Sequence, residues 1–404
     1  MTGINESNLL LEKDIFTRHY IEKRMVEGGF KSIARFELFI WDVEIFLQLQ
    51  KKLGYKIILK GGAATQFYIP ISSQRTSVDI DMVCTASREE LHKALTDIEA
   101  ELNGDGNFCK FKIHNPINPK LELNSLETYF MKVPSICNEK ELFATRGEQE
   151  VKIEFLFSNR IYPINYISKP KLFALETNHK FNIISFNYLF ADKLTTLGPT
   201  TIGIKDDRAD EQFKQIYDVI TLFISNVDQV TTEVKSIKEH YSDAAMMECH
   251  FRSIPYDPEQ LFIDMLLIIN RIKNIENDDI SLKYANDFQS LYLRKNVNRA
   301  KSEWAIVGYQ LELLACYIFN NDNKLLQIND IVKLINRLKF EDIDGPNRRH
   351  LIKDVRNALT SSFGTLDCLS TDLFNKRFDR IIWELVSLVD LENIQDSIKN
   401  FCME

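Results

Sequence analysis

Two aspartates one residue apart, Asp79 and Asp81, lie in the run SVDIDMVC, and a third acid, Glu154, lies in EVKIEFLF. Both runs alternate apolar and polar residues with the period of a half-buried strand. Residues two apart on a strand share a face and stand roughly 6.5–7 Å apart along it. Asp79 and Asp81 are therefore expected side by side, with Val78, Ile80 and Met82 on the reverse. Bare carboxylates so placed repel one another. A divalent cation relieves that cost, and magnesium is held by one or two carboxylates completed by water and substrate phosphate. If the two strands are neighbours, Glu154 joins the aspartates, and the three acids could hold one or two magnesium ions. Such ions stabilise the attacking and leaving oxygens of an in-line phosphoryl or nucleotidyl displacement. A D-x-D pair alone is also an ordinary pattern of a solvated strand face.

Upstream, the strand-like YKIILK runs into Gly61 and Gly62, and AATQFYI would then begin a short helix. Glycine lets the backbone approach a phosphate closely, and a helix N-terminus offers free N–H groups. Arg75 and Ser77 follow before the aspartates; Arg75 suits a phosphate or a neighbouring acid equally well. The order strand, Gly-Gly, helix, Arg-x-Ser, acidic strand is harder to reach by accident than any one of its parts.

The elements that must position these groups are legible in outline. The stretch from Lys13 to Leu53 reads as helical, and IARFELFIWDVEIFLQLQKKLG keeps a three- and four-residue apolar spacing up to Gly54. SREELHKALTDIEAEL opens with a capping box. Residues 103–124 should be loop with one short strand, and LETYFMKVP a further strand. From Ser185 onward helical patterns take over, beginning with SFNYLFADKLTTLG and ADEQFKQIYDVITLFIS. With 404 residues, two domains are expected, 1–225 and 226–404, the second mostly helical.

The net charge of −8 argues against broad nucleic-acid binding, though a local basic groove remains compatible with it. Two basic stretches, with Arg294, Lys295, Arg299 and Lys301 in one and Arg348, Arg349, Lys353 and Arg356 in the other, read first as solvated faces and second as acceptor-binding surface. The seven cysteines are scattered and form no C-x-x-C pair, which reads as reduced thiols in a cytoplasmic protein rather than a disulfide frame or a zinc site. The most apolar run, LFIDMLLIIN, is short and carries Asp264, so it is expected to be a buried helix and not a membrane span.

The motif KGGAAT…QRTSVDIDMV resembles the Gly-Gly, R-x-S-x-D-[IL]-D signature of the DNA-polymerase-β-like nucleotidyltransferase superfamily, and within it the AbiEii/AbiGii-type toxins of abortive-infection and toxin–antitoxin systems. The resemblance extends over about residues 40–225. It implies an α+β fold: a polymerase-β-like nucleotidyltransferase domain with a small mixed sheet and flanking helices, followed by a mostly helical C-terminal domain. SFNYLFADKLTTL is similar to the family's lysine helix, which makes Lys193 its essential lysine. RADEQFKQIYDVITL is similar to its late acidic helix, which assigns Asp218 the acidic role and Lys214 the basic position before it, with Asp210 a second candidate for the acid. Asp79, Asp81 and Glu154 would hold Mg2+; Gly61, Gly62, Thr65, Arg75, Ser77, Lys193 and Lys214 would bind the nucleoside triphosphate. This chain departs from the family pattern at Ala63, where a hydroxyl residue usually follows Gly-Gly, and at Gln215.

The resemblance implies a toxin that transfers a nucleoside monophosphate to an RNA acceptor such as a tRNA 3′ end, and that is paired with a cognate antitoxin. Two other readings stand beside it. One keeps the chemistry with a protein or a small molecule, such as an antibiotic, as acceptor. The other is a catalytically silent nucleotide-binding module.

Overall fold

The computed structural model describes residues 5–103, 110–113, 125–135 and 148–401. In chain order its elements are α1 (Arg18–Gly28), α2 (Ile33–Leu53), β1 (Ile57–Lys60), α3 (Gly61–Thr65), β2 (Asp79–Cys84), α4 (Arg88–Leu102), β3 (Lys110–Ile113), β4 (Leu126–Pro134), β5 (Glu148–Phe157), β6 (Ile164–Ser168), β7 (Lys180–Ile184), α5 (Phe186–Thr195), α6 (Ala209–Ser225), α7 (Val227–Thr232) and α8 (Val234–Arg252). Helices alone follow: α9 (Pro258–Lys273), α10 (Asp279–Tyr292), α11 (Lys301–Asn320), α12 (Ile328–Arg337), α13 (Gly345–Phe363), α14 (Phe378–Leu388) and α15 (Leu391–Ile398). This is the expected α+β class, a mixed sheet with flanking helices and a helical C-terminal part. Most of the loop expected over 103–124 lies outside the described residues.

Two compact units divide the chain. The first gathers residues 1–196, 207–256 and 285–298, and the second 197–206, 257–284 and 299–404. The strand-bearing unit thus takes in residues well past the boundary expected at 225, because α7, α8 and a segment around Tyr292 fold with it. No described helix is long and apolar enough to cross a membrane.

In the first unit the described strands form one seven-stranded sheet in the order β3-β4-β5-β2-β1-β7-β6. Pairing is parallel for β2–β5 and β1–β7 and antiparallel elsewhere. One face is the core: Leu59, Ile80, Met82, Ile153 and Phe155 are almost fully buried and join a large apolar cluster with Phe39, Val43 and Phe46 of α2. Strand alternation then forces the intervening residues of β1, β2 and β5 onto the opposite face. α4 starts with the full capping box at Ser87 and Glu90 that the sequence signals. The helical stretch expected from Lys13 to Leu53 is broken at Gly29, whose φ of 71° ends α1 in the left-handed region.

Within the second unit, Asp264 of α9 is fully buried and is tied to the segment before it. Its carboxylate accepts hydrogen bonds from the backbone N–H and the hydroxyl of both Thr200 and Thr201, at 2.6–3.1 Å. A buried charge so surrounded by donors is satisfied. Arg356 of α13 likewise serves structure, donating to the carbonyls of Phe374 and Lys376 at 2.6 and 2.8 Å.

Candidate active site

The register of the sheet lines up the chemistry. Lys60 of β1 is opposite Asp81 of β2, Asp81 is opposite Glu154 of β5, and Glu154 is opposite Thr128 of β4. These four form one row across the solvent-side face. The next row holds Asp79 opposite Lys152. All three acids singled out from the sequence therefore share one face, with Asp81 and Glu154 as immediate cross-strand neighbours.

Burial raises the pKa of Asp81, and Glu154 raises it further through its charge and a hydrogen bond between the two carboxyls. Lys60 and Lys214 pull the other way. Asp79 leans toward Lys214 Nζ at 3.8 Å, and Glu154 accepts from Lys152 Nζ at 2.8 Å. Among the described residues no three acidic, histidine or cysteine side chains are gathered so as to hold a metal ion. The three-acid cage expected from the sequence is thus not formed in advance. What stands ready is a carboxyl pair with a third acid one step along the strand. That donor set still fits magnesium, which takes few protein oxygens and completes its shell with water and substrate phosphate.

Gly61 explains the Gly-Gly signal in part. Its φ is 68°, and a Cβ there would fall 1.9 Å from Oδ2 of Asp81. The backbone thus approaches the acid more closely than any side chain would allow. At Gly62 a Cβ would meet Nη2 of Arg75 at 2.9 Å and Oγ of Ser77 at 3.1 Å, so this glycine makes room for the guanidinium. Gly61→Ala is expected to cost about 1–2 kcal/mol from backbone strain alone and to displace Asp81. A urea titration run beside an activity assay checks both effects.

The basic residues behave less uniformly than the sequence suggests. Arg75 is fully buried and grips Asp218 through two hydrogen bonds, Nε to Oδ1 at 2.7 Å and Nη2 to Oδ2 at 2.6 Å. Lys193 donates to the same Oδ2 at 2.8 Å and to Gln215 at 2.7 Å. One carboxylate thus serves two buried cations. Burial opposes the charge of Asp218, but Arg75 and Lys193 overcome it and hold its pKa down at about 2. For Lys193, burial lowers the pKa, and Arg75 reinforces this against the pull of Asp218. Asp210, the other candidate for the late acid, is exposed in the first turn of α6. Thr65 is buried, and its hydroxyl turns back to the Gly61 carbonyl at 3.1 Å, the usual bond of a helical threonine, so as placed it does not face the acids. Ser77 is buried against Gly62.

Several neighbours were not singled out in the sequence. Lys60 is paired with Asp192 at 3.3 Å; burial works against its charge, yet Asp192, Asp81 and Glu248 together raise its pKa. Tyr292 sits among cations, with Arg35 4.3 Å, Lys214 5.6 Å and Arg75 6.0 Å from its ring centre. Its carbonyl accepts from the Thr76 backbone at 3.2 Å. The strongest missed signal is Asp42 in FIWDVEIF, an acid on an otherwise apolar helix. It is 2% exposed, and neither carboxyl oxygen has a hydrogen-bond partner. It borders a cavity of about 10 Å³ with Phe39, Leu59 and Phe67.

Burial, then Asp79 and Asp81, push the Asp42 pKa well above that of an ordinary carboxyl. A raised folded-state pKa costs stability once pH exceeds the unfolded value, because only the unfolded chain then ionises freely. Asp42→Leu is therefore expected to stabilise the protein at pH 7 by about 1–3 kcal/mol. The wild type should approach the variant as pH falls toward 4. Calorimetry at pH 7 and pH 4 measures that gap.

Comparison with known proteins gives the family. The family model described as "Nucleotidyl transferase AbiEii toxin, Type IV TA system" matches residues 46–298, more than half of the chain. No curated protein is matched. Among solved structures the chain is similar to MenT4, a nucleotidyltransferase toxin from Mycobacterium tuberculosis H37Rv, at 10% identity and a TM-score of 0.41, covering 75% of this chain and 99% of that one. It is also similar to a protein from H. pylori classed with the nucleotidyltransferases, at 16% identity and a TM-score of 0.34, covering 70% and 97%. A nucleotidyltransferase-like protein from Paracoccidioides brasiliensis shares 12% identity at a TM-score of 0.29, covering 49% and 91%.

Proposed function

Because the chain belongs to the AbiEii nucleotidyltransferase toxin family, and is therefore a nucleotidyltransferase, we propose that the acidic face of its sheet is the catalytic site and that the acceptor is RNA, with the 3′ end of a tRNA as the specific target. The observation that carries this reading is the Asp81–Glu154 pair, met by the close backbone approach at Gly61.

In the proposed reaction an acceptor hydroxyl oxygen attacks the α-phosphorus of a nucleoside triphosphate. The bond from that phosphorus to the α,β-bridging oxygen breaks, and pyrophosphate leaves. The hydroxyl proton passes to Glu154, which lies on the same face as Asp81. Asp79, Asp81 and Glu154 would hold magnesium, which when bound would supply charge neutralisation and Lewis-acid polarisation at the phosphates. Gly61 brings backbone up to the acids where the phosphates would lie, Gly62 leaves room for Arg75 behind it, and Lys214 offers the phosphates positive charge. Buried Lys193, its place fixed by Asp218, adds to the positive field around Lys214 without reaching the phosphates itself. With a folded pKa of about 2, Asp218 is a poor proton acceptor near neutrality, so its part is to position Lys193 and Arg75. The toxin family further suggests a cognate antitoxin, and an RNA target suggests action in the cytoplasm.

The test is incubation of the pure protein with each α-³²P-labelled nucleoside triphosphate, Mg2+ and total cellular RNA and protein. Label in a tRNA-sized band that is lost on 3′-end trimming supports the reading. Label in protein or in a small soluble product moves the acceptor to that class, and no label with any nucleotide removes the proposed site.

A further inference from the structure

Lys152 is the residue whose position is least explained by a site built to hold a cation. It lies on the same face as the acids, one step along β5 from Glu154 and directly opposite Asp79. Its ammonium donates to Glu154 at 2.8 Å. Burial opposes its charge, but Glu154 first, and then Asp79 and Asp81, hold it protonated. A single ammonium group thus interacts with all three acids. Lys214 adds a second such contact at Asp79, and Lys60 flanks Asp81 from β1.

We infer that Lys152 is a tethered counter-ion that competes with the divalent cation and passes to the nucleotide phosphates when the cation arrives. This rests on the reading of the acidic face as the metal site. Three carboxylates on one partly buried face repel each other, and the free enzyme limits that cost with a lysine instead of a metal. A divalent ion entering alone must then meet a positive charge already engaged with its ligands, so it binds weakly. An ion entering with a nucleoside triphosphate brings four phosphate negative charges, and these give the displaced ammonium a new partner. Metal and nucleotide therefore favour each other's binding, and by linkage each raises the affinity for the other by the same factor. Lys152 suits this role because its side chain is about one-third exposed, at 36%, and is long enough to turn from the sheet toward a bound phosphate. Lys193 is not suited to it, since it is buried in its contact with Asp218.

The experiment uses full-length protein and Mn2+, followed by the EPR signal of the free ion, with and without the α,β-methylene analogue of each ribonucleoside triphosphate in turn. K152M is expected to bind Mn2+ alone about fivefold or more tightly than wild type, since one positive charge beside the ion is gone. The factor by which the nucleotide analogue tightens Mn2+ binding should shrink correspondingly. K152R keeps the charge and should reproduce wild-type affinities, which separates the charge from any packing effect. If K152M binds Mn2+ alone no more tightly than wild type, while wild type binds metal and nucleotide together, the Lys152 inference is overturned and the proposed site stands. Wild type that takes up no Mn2+ with any analogue overturns the metal site itself, and this inference with it.

Discussion

Asp81→Asn is expected to abolish nucleotidyl transfer while leaving the protein as stable as before, or slightly more so. Asp81 lies at the centre of the row that crosses the sheet, between Lys60 and Glu154. Losing its negative charge removes a ligand that magnesium would use and unbalances the lysines beside it. Losses of about 10²–10³-fold are typical when one group that stabilises transition-state charge is removed, and here a metal ligand is lost as well. Folding has no such need of the charge. Burial and Glu154 already raise the Asp81 pKa, so the folded state resists ionisation there. Asparagine keeps the shape that fits against Gly61, where larger groups would not fit. Labelled-nucleotide incorporation measured beside a thermal melt reads both halves. Full incorporation by a well-folded D81N would move the chemistry off this face.

Asp218→Asn should do the reverse, with stability as its main casualty. Asp218 neutralises two buried cations, Arg75 and Lys193, which lie 143 and 25 residues away along the chain. Removing one partner of a buried ion pair typically costs about 3–5 kcal/mol, and here two cations are stranded at once. Activity should fall with it, since Lys193 loses its anchor. The pH dependence has a definite sign. The folded pKa of about 2 lies below the unfolded carboxyl value of 3.8, so the stabilisation is present above the unfolded value. It amounts to roughly 2 kcal/mol and is lost as pH falls through the folded value. Urea denaturation at pH 7 and pH 3 should show the gap between wild type and D218N narrowing in acid. Adding Lys193→Met to D218N should recover part of the lost stability, because one of the stranded charges is then gone. A D218N protein as stable as wild type at pH 7 would show that the two cations do not depend on this carboxylate.

What could be read ahead of the structure was whatever a single element decides. The alternation of β2 placed Asp79 and Asp81 together, and Ser87 announced α4. The composition after Ser185 announced the helices. Residues brought together by pairing between distant segments were not legible. The ion pair between Arg75 and Asp218, the register that sets Lys152 against Asp79, and the contact between Lys60 and Asp192 all depend on which strands and helices become neighbours. Thr65 shows the same limit at short range: its hydroxyl looked available for a phosphate until helix geometry turned it onto the Gly61 carbonyl. The strands β6 and β7 gave little signal, because INYIS is mostly exposed at the sheet edge and KFNII is short. The boundary at 225 followed the disappearance of strand patterns, whereas α7 and α8 still belong to the strand-bearing unit, α8 packing on α5, after the last strand has ended.

The row from Lys60 through Asp81 and Glu154 to Thr128 draws on four strands, and Glu154 comes last in the chain. A polypeptide still emerging from the ribosome has its aspartates long before it has their partner. If the proposed chemistry holds, a cell making this protein is spared its activity during synthesis, because the weapon is armed only when the central strands close over their full length. Damage that pries β2 from β5 would disarm it just as completely, without touching a single reactive group.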